Sequence, residues 1–198
     1  FLSKKRKIDW KTAYFDTYNH PHRRLIIEKL KKMPCGSLLE VGCASGPNLH
    51  LIRQHFPKLP LVGIDISPKA IQAGRQLLDK LTVLDVGNAE KIFLGDKSVD
   101  VILSDMTLIY IDPRSIHKVI KDIRKIARQG IIFVEFHSAS FFKRLALRFA
   151  EDGYHAYNYQ KLLSEHDFYD IQIEKIKEED WPGGRSQSMF GYIITARV

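Results

Sequence analysis

Short apolar runs alternate along the chain with longer amphipathic segments, and this alternation predicts strands followed by helices. Runs this apolar are typical of parallel strands that are covered on both faces. A closing pair is richer in alternating, β-branched and aromatic residues, which favours antiparallel strands near an edge. The predicted strands are residues 37–41, 61–66, 82–85, 99–104 and 130–136, and the closing pair is residues 171–177 and 189–198.

Helices are predicted around these strands, and one of them begins directly after the small residues 42–46. Ser67 followed by Pro68 is typical of a helix start, with a hydroxyl N-cap and a proline in the first turn. Asp112 and Pro113 predict a second start of the same kind, and residues 21–33 form an amphipathic helix before the first strand. The second helix has apolar residues at three- and four-residue steps that predict a buried stripe: Ile116, Val119, Ile120, Ile123 and Ile126.

Composition adds limits to this α/β pattern. The 198 residues, 44% hydrophobic and 27% charged, predict one domain of ordinary size with a packed core. No apolar run approaches the roughly 20 residues that span a bilayer, so we expect neither a membrane anchor nor a membrane partner. Residues 21–198 are expected to form the domain, and residues 1–20 an aromatic extension or lid outside its core.

Cysteine content and charge indicate compartment and possible partners. The two cysteines, Cys35 and Cys43, cannot form a disulfide framework and are not spaced as metal ligands, so a reducing, cytoplasmic setting is expected. The net charge of +8 permits attraction to nucleic acid, an acidic surface or an acidic substrate without choosing among them.

The most informative segment is a turn of small residues directly after the first strand. Gly42, Ala44 and Gly46 leave the backbone open to close approach by a ligand. The spacing G-x-A-x-G departs from the dinucleotide fingerprint G-x-G-x-x-G. Glu40 stands two positions before Gly42, where a negative charge opposes a phosphate and suits a cationic ligand.

A second acid follows at the end of the next strand. Asp65 comes 23 residues after Gly42, where a carboxylate can accept both hydroxyls of a ribose. After the third strand, the polar loop of residues 85–90 is a weaker signal for contact with an adenine edge. The two acids and the turn predict a nucleoside-containing ligand with a positive charge.

Glu40, Gly42, Gly46 and Asp65 together resemble the class I S-adenosylmethionine-dependent methyltransferases, over residues 21–198. The family's first motif is E/D-x-G-x-G-x-G, and Ala44 replaces its middle glycine. That replacement is mild unless the turn needs a positive φ, which costs an alanine about 1 kcal/mol. The resemblance implies a doubly wound, mostly parallel seven-stranded sheet of order 3-2-1-4-5-7-6, with strand 7 antiparallel and helices on both faces.

The resemblance also implies roles for particular residues. It assigns Asp65 to the ribose and places Ser104 and Asp105 beside the methionine moiety and the acceptor. The full set of expected cofactor contacts is Glu40, Gly42, Cys43, Ala44, Gly46, Asp65, Ile66, Asn88, Ala89 and Ser104. Among these, Asn88 and Ala89 are expected at the adenine. The cofactor would be S-adenosylmethionine, and the product S-adenosylhomocysteine.

Catalytic residues are less determined, because a sulfonium carries a good leaving group and methyl transfer needs mainly in-line placement. Two residues are candidates: His137, directly after the fifth strand, and Asp105. Each is alternatively a residue that only lines the pocket. Tyr14 and Tyr18 either close over the cofactor or fill a groove, and Arg185 either grips an anionic acceptor or belongs to a hairpin connection.

The acceptor is inferred by elimination. Residues 104–107 lack the Asn/Asp-Pro-Pro-aromatic loop of adenine methyltransferases, neither cysteine is placed as a nucleophile, and no carboxylate set around Asp105 indicates a metal. We therefore expect a metal-independent enzyme that methylates an oxygen or nitrogen of a small molecule. An RNA methyltransferase, or a non-catalytic cofactor-binding partner subunit, remains the alternative.

Overall fold

The computed structural model describes residues 9–150, 153–182 and 184–198. Residues 1–8 of the expected lid and Gly183, in the loop before Arg185, lie outside the described residues. Among the helices that the structure describes, none has the length and apolar character required to cross a membrane.

A single seven-stranded sheet forms the centre of the fold, in the order β3-β2-β1-β4-β5-β7-β6. The first five strands are parallel, and β7 runs antiparallel to both β5 and β6. This confirms the predicted fold class, strand order and reversed strand. The strands are β1 Leu38–Val41, β2 Leu61–Asp65, β3 Thr82–Val86, β4 Val99–Asp105, β5 Ala127–Phe136, β6 Tyr169–Lys175 and β7 Gly191–Arg197.

Helices cover both faces of the sheet. One apolar cluster contains side chains from α2, α3, α4, α6 and α8, and the other contains side chains from α5 and α7. The helices are α1 Trp10–Thr17, α2 His22–Lys31, α3 Pro47–His55, α4 Pro68–Leu77, α5 Ile116–Ile126, α6 Phe141–Ala150, α7 Tyr159–Ser164 and α8 Arg185–Phe190. A 3-10 turn, Leu108–Tyr110, follows β4. The parallel order places the carboxyl ends of β1, β2 and β4 at one edge, where α/β folds bind ligands.

The predicted start of α5 is wrong by one turn. The helix begins at Ile116, because Asp112 and Pro113 belong to a separate turn before it. In that turn the Asp112 carboxylate accepts from the Arg114 backbone N–H at 2.9 Å, and the Asp112 carbonyl accepts from Ser115 N–H. The predicted apolar stripe of this helix is confirmed, since all five of its members are buried.

Other boundaries also differ from the sequence pattern. Strand β5 begins at Ala127, three residues earlier than predicted, and β6 spans Tyr169–Lys175. Residues 185–190, part of which was predicted as strand, form α8, so β7 begins only at Gly191. The helices α1, α6 and α7 were not predicted. The pairing of each strand with its neighbours decides where the strand begins and ends, and a short stretch of sequence does not show that pairing.

Candidate cofactor and acceptor site

The glycine turn, residues 42–46, joins β1 to α3 with three residues in left-handed backbone. Gly42 has φ +78°, Ala44 +49° and Gly46 +86°. The backbone N–H of Gly42 donates to the Ile64 carbonyl at 2.7 Å, which ties the turn to the end of β2. The turn therefore does need a positive φ at Ala44, at a cost of about 1 kcal/mol for a side chain with a Cβ.

Asp65 stabilises this strained turn. Its Oδ2 accepts from the Ala44 backbone N–H at 2.9 Å, and its Oδ1 accepts from the Ser67 N–H at 2.8 Å. The carboxylate is half-buried at the carboxyl end of β2, and the next side chain, Ile66, is 66% exposed. Each carboxylate oxygen retains acceptor capacity for a ligand. The structure thus places a fixed carboxylate beside an exposed apolar surface.

The residues expected at an adenine follow β3 at the same edge of the sheet. The Asn88 Oδ1 accepts from the Glu90 backbone N–H at 2.9 Å, so this oxygen already serves a local turn. Asn88 is exposed, while Ala89 is half-buried and packs against the core cluster beneath it. The amide nitrogen of Asn88 is the part of that side chain that remains to contact a base.

Glu40 lies beneath the glycine turn and is fully buried. Its Oε1 accepts from Asn48 Nδ2 at 2.6 Å, and its Oε2 is buried without a hydrogen-bond partner among the described residues. Burial raises the pKa of Glu40 to about 8, and the nearby carboxylates of Asp105 and Asp65 act in the same direction. The Arg23 guanidinium and the Asn48 amide oppose this shift. The Glu40 carboxyl group beneath the turn is therefore mostly protonated at neutral pH and ionises at higher pH.

A second group of polar side chains, which we call the Asp105 cluster, surrounds the end of β4: His22, Arg23, Glu40, Asn48 and Asp105. The Asp105 Oδ2 accepts from His22 Nε2 at 2.8 Å, from Asn48 Nδ2 at 2.9 Å and from Arg23 Nη1 at 3.0 Å. Burial opposes ionisation of Asp105, but the His22 and Arg23 charges and these donors hold its pKa well below its usual range. Asp105 is therefore ionised, and three hydrogen bonds already occupy its Oδ2 atom.

A pair of histidines extends this cluster toward the amino-terminal segment. His20 Nδ1 and His22 Nδ1 lie 2.6 Å apart, so one of the two nitrogens carries the shared proton. Burial lowers the pKa of His20, and the neighbouring His22 and Arg23 add to this effect. The His22 ring centroid is 5.4 Å from that of Trp181. The pair therefore forms a continuous imidazole path from Asp105 to His20, which is half-buried.

Ser104 and Gly42 are connected through the 3-10 turn. The Ser104 hydroxyl donates to Glu135 Oε1 at 2.7 Å, and the same oxygen accepts from the backbone N–H groups of Thr107 and Leu108 at 3.0 Å each. Burial raises the pKa of Glu135 to about 7 against these donors. A Cβ at Gly42 would lie 1.9 Å from Thr107 Oγ1, so this position requires glycine.

His137 stands apart from the Asp105 cluster. Its Nδ1 accepts from the Tyr159 backbone N–H at 3.2 Å, and its ring centroid is 5.0 Å from that of Tyr192. Burial lowers the pKa of His137, and the Arg144 and Lys175 charges lower it further. The contacts that the structure records thus tie His137 to α7 and β7.

The amino-terminal aromatic residues pack over the glycine turn. Tyr14 is buried and its ring is stacked on Tyr18 at 6.1 Å, and both rings meet the edge of His50 on α3. The Ser45 hydroxyl donates to the Trp10 carbonyl at 3.2 Å. Helix α1 therefore covers the turn while it also fills a groove. Arg185, the first residue of α8, is exposed.

Sequence reasoning missed His20, His22, Arg23 and Asn48. A signal for two of them exists, because His22 and Arg23 precede Ile26 and Ile27 by one helical turn and so lie on the inward face of α2. Asn48 has no such signal. Among the residues that the structure describes, no group of three His, Cys, Asp or Glu side chains is arranged to hold a metal ion.

Comparison with known proteins agrees with this geometry. The sequence model of the methyltransferase domain family matches residues 38–130. A trans-aconitate 2-methyltransferase from Sinorhizobium fredii is 32% identical over 36% of this chain, and a ribosomal protein L11 methyltransferase from Burkholderia multivorans is 41% identical over 31% of it. The matched segments cover only 29% and 21% of those two proteins.

Solved structures extend the likeness of fold to nearly the whole chain. A chain of the complex between the Haloferax volcanii Trm112 methyltransferase activator and a methyltransferase superposes with a TM-score of 0.69 and 17% identity. The alignment covers 98% of this chain and 99% of that one. The strand order and the reversed β7 define a class I methyltransferase fold. The family match covers residues 38–130, a little under half of the chain, so the chain is similar to the class I S-adenosylmethionine-dependent methyltransferases in that segment and in its fold.

Proposed function

We propose that this chain transfers the methyl group of S-adenosylmethionine to an oxygen or nitrogen of a small-molecule acceptor, without a metal ion. The observation that carries the proposal is the Asp65 carboxylate, held against the glycine turn beside the exposed side chain of Ile66. A carboxylate in this position suits two adjacent ribose hydroxyls, and an exposed apolar side chain suits the face of the attached base.

The other residues at this edge fit the remaining parts of the same cofactor. S-adenosylmethionine supplies, when bound, an electrophilic methyl group on a positively charged sulfur. The buried Oε2 of Glu40 is without a partner among the described residues, and Glu40 would contribute negative charge under a cationic ligand. The backbone at Gly42 would lie against the methionine part, while Asn88 and Ala89 would contact the base. Ser104 is fully buried and its hydroxyl donates to Glu135, so it would support the turn after β4 and not touch the cofactor.

Helix α1 would exclude water from the reacting groups. Tyr14 and Tyr18 lie on α1 and at its end, and the Ser45 hydroxyl joins this helix to the glycine turn. Exclusion of water strengthens the electrostatic interactions inside the site and limits side reactions. We assign the two tyrosines to this covering role.

A proton released by the acceptor would pass to an imidazole and not to Asp105. Three donors occupy the Asp105 Oδ2, and its pKa is held low, so this carboxylate is a poor base. Burial keeps His20 and His137 neutral by lowering the pKa of each, which leaves a ring nitrogen able to accept a proton. Asp105 then acts as a positioning residue that orients His22 and Arg23.

The name of one relative, trans-aconitate 2-methyltransferase, supports a small organic acceptor. Arg185 is exposed at the start of α8 and is our candidate for contact with an anionic acceptor. The relatives named for ribosomal protein L11 make a protein the competing class of acceptor.

The test of the cofactor site compares Asp65→Ala with Asp96→Ala by titration calorimetry. Asp96 is the control, because it is exposed in the loop between β3 and β4, three residues before the amino end of β4 and so at the opposite edge of the sheet. We expect S-adenosylmethionine and S-adenosylhomocysteine to bind the unmodified chain, and NAD not to bind. Asp65→Ala should weaken cofactor binding by about 100-fold or more, which is about 2.7 kcal/mol. Asp96→Ala should leave it unchanged.

Equal affinity of Asp65→Ala and the unmodified chain, with both folded by circular dichroism, would contradict the site. The acceptor is then sought with isotope-labelled cofactor in separate metabolite, protein and RNA fractions of a cell extract. Label that appears only in protein or RNA would overturn the small-molecule assignment. Label that appears in no fraction, with cofactor bound, would support the non-catalytic partner subunit.

A further inference from the structure

Helix α6, Phe141–Ala150, presents an unusual surface. Four large apolar side chains on it are exposed: Phe141 at 61%, Phe142 at 81%, Leu145 at 40% and Phe149 at 81%. By contrast Leu147 is 3% exposed and packs into the core cluster, so the helix is anchored to the fold by its opposite face. The exposed apolar residues are therefore a feature of an ordered helix.

The exposed residues form one continuous arc. At about 100° per residue, Phe141, Leu145, Phe149, Phe142 and Ala146 follow one another around the helix within an arc of about 140°. Leu147 projects from the other side, about 100° from the nearest edge of that arc. A stripe that broad on a helix normally faces the protein core. Here it faces outward, so it needs an external apolar partner.

Cations flank the arc on both sides. Lys143 lies beyond one edge, and Arg148 and Arg144 lie beyond the other, while the ten residues of α6 contain no acid. Arg144 donates from Nη1 to the Ser138 and Ala139 carbonyls at 2.9 Å each, which leaves Lys143 and Arg148 as the exposed charges. Glu151 and Asp152, which follow in the sequence, lie outside the described residues.

We propose that α6 docks this protein onto an anionic lipid bilayer, with its Phe-rich arc in the interface and Lys143 and Arg148 among the headgroups. The arrangement is that of a helix lying in the membrane plane, in which an apolar face enters the acyl boundary and cations on the flanks meet acidic lipid. The net charge of +8 acts in the same direction.

A bilayer fits this face better than a protein groove does. Cations on both flanks of a wide apolar arc match a flat anionic surface. A partner protein that held α6 in a groove would instead need acidic residues on both walls of that groove. The proposal departs from the expectation of no membrane partner, which rested on the absence of a spanning run. Helix α6 begins four residues after His137, so docking would bring this candidate catalytic residue close to the lipid surface.

The test is vesicle flotation of the full chain without cofactor, so its outcome is independent of the reaction. We expect the protein to float with vesicles of phosphatidylcholine and phosphatidylserine, and to remain below with phosphatidylcholine alone. A Phe142→Ser/Phe149→Ser double variant should lower partitioning by about tenfold or more, and a Lys143→Gln/Arg148→Gln variant should lower it by a similar factor and reduce its dependence on salt.

The matched control is Phe93→Ser, which removes a phenylalanine that is 82% exposed in the loop between β3 and β4. This variant should float like the unmodified chain. A Phe149→Trp variant supplies a second readout, because its fluorescence emission should shift to shorter wavelength only with anionic vesicles. The proposal is overturned if the unmodified chain does not float with anionic vesicles, or if the Phe142→Ser/Phe149→Ser variant floats equally well. A dimer in solution that this double variant dissociates would assign the face to a second copy of the chain.

Discussion

The glycine turn and the Asp105 cluster lie at the same edge of the sheet, yet they are built from different kinds of sequence. The turn is local, since residues 42–46 follow β1 directly and Asp65 adds one carboxylate from the next strand. The cluster draws His22 and Arg23 from α2, Glu40 from β1, Asn48 from α3 and Asp105 from β4. The comparison shows that the glycine turn is specified by a local sequence motif, whereas the Asp105 cluster depends on tertiary packing.

The two regions also balance charge differently. At the glycine turn, the half-buried Asp65 carboxylate accepts hydrogen bonds from two backbone N–H groups. The hydrogen bond from Ala44 offsets part of the strain of the left-handed backbone. In the cluster, a buried carboxylate is neutralised by a guanidinium and hydrogen-bonded by an imidazole. Loss of one partner should therefore have a larger effect on the free energy of unfolding in the cluster, because it leaves buried charge without compensation.

The largest expected effect on stability is that of Asp105→Ala. It removes one acceptor from each of three buried donors, on His22, Arg23 and Asn48, and leaves the buried Arg23 guanidinium without its carboxylate. The free energy of unfolding should therefore fall by about 3–5 kcal/mol. The matched control is Asp100→Ala, at the amino end of the same strand, where Asp100 pairs with the more exposed Arg128 at 2.7 Å.

The control should cost about 1–2 kcal/mol, mainly through the Gly36 N–H that Asp100 accepts. Urea titration followed by circular dichroism measures both variants. If Asp105→Ala is no more destabilised than Asp100→Ala, the cluster does not hold the buried charge that we describe.

A pH effect of intermediate size is expected from Glu40, on the basis of the proposed cofactor. With its pKa raised to about 8 by burial, Glu40 is largely protonated at pH 6, and a bound cation would favour its ionised form. Cofactor affinity should therefore rise with pH, by at most about tenfold per unit, and level off above the free-state pKa. Glu40→Gln should remove this part of the dependence.

Calorimetry at several pH values, in buffers of different ionisation enthalpy, measures the affinity and the proton released on binding. The groups that face Glu40 are Asn48, Asp105, Arg23 and Asp65. Parallel pH profiles for Glu40→Gln and the unmodified chain would show that another group titrates.

The smallest expected effect is that of Ala44→Gly. Relief of the positive φ is worth about 1 kcal/mol, but the greater freedom of glycine in the unfolded chain offsets about 0.5–1 kcal/mol of it. Stability and cofactor affinity should therefore change by less than about 1 kcal/mol. Ala70→Gly, at a buried position in the first turn of α4, is the control and should lower stability by about 1 kcal/mol.

The urea concentration at the midpoint of unfolding, measured for Ala44→Gly and Ala70→Gly, tests these two expected changes in stability. An Ala44→Gly variant as destabilised as Ala70→Gly would mean that the turn does not hold Ala44 in left-handed backbone.

The sequence patterns predicted most of the fold. Apolar runs located each parallel strand, because strands covered on both faces must be apolar throughout. The stripe from Ile116 to Ile126 located α5, whose five apolar members are all buried. The patterns failed at ends and connections: the Asp112 turn displaced the start of α5, and α8 occupies residues expected to lead into β7.

The glycine turn and its contact with Asp65 were as predictable from the sequence as the strands were. Asp65 and the glycine turn were located by spacing, and the structure joins them by a direct hydrogen bond. Glu40 was also located, but its burial beneath the turn was not, since a sequence does not show that Asn48 and Asp105 close over it. The roles of these residues toward the cofactor stay predictions until binding is measured.

The sequence by itself determined the order of the strands, the apolar faces of the predicted helices and the turn that follows β1. Those features depend on neighbours within a few positions, where periodicity and backbone preference act. Only the tertiary structure decided that His22, Arg23, Asn48 and Asp105 meet, and that the apolar arc of α6 faces outward. Both outcomes follow from which surfaces pack together, and within the Asp105 cluster packing joins residues that are 83 positions apart in the chain.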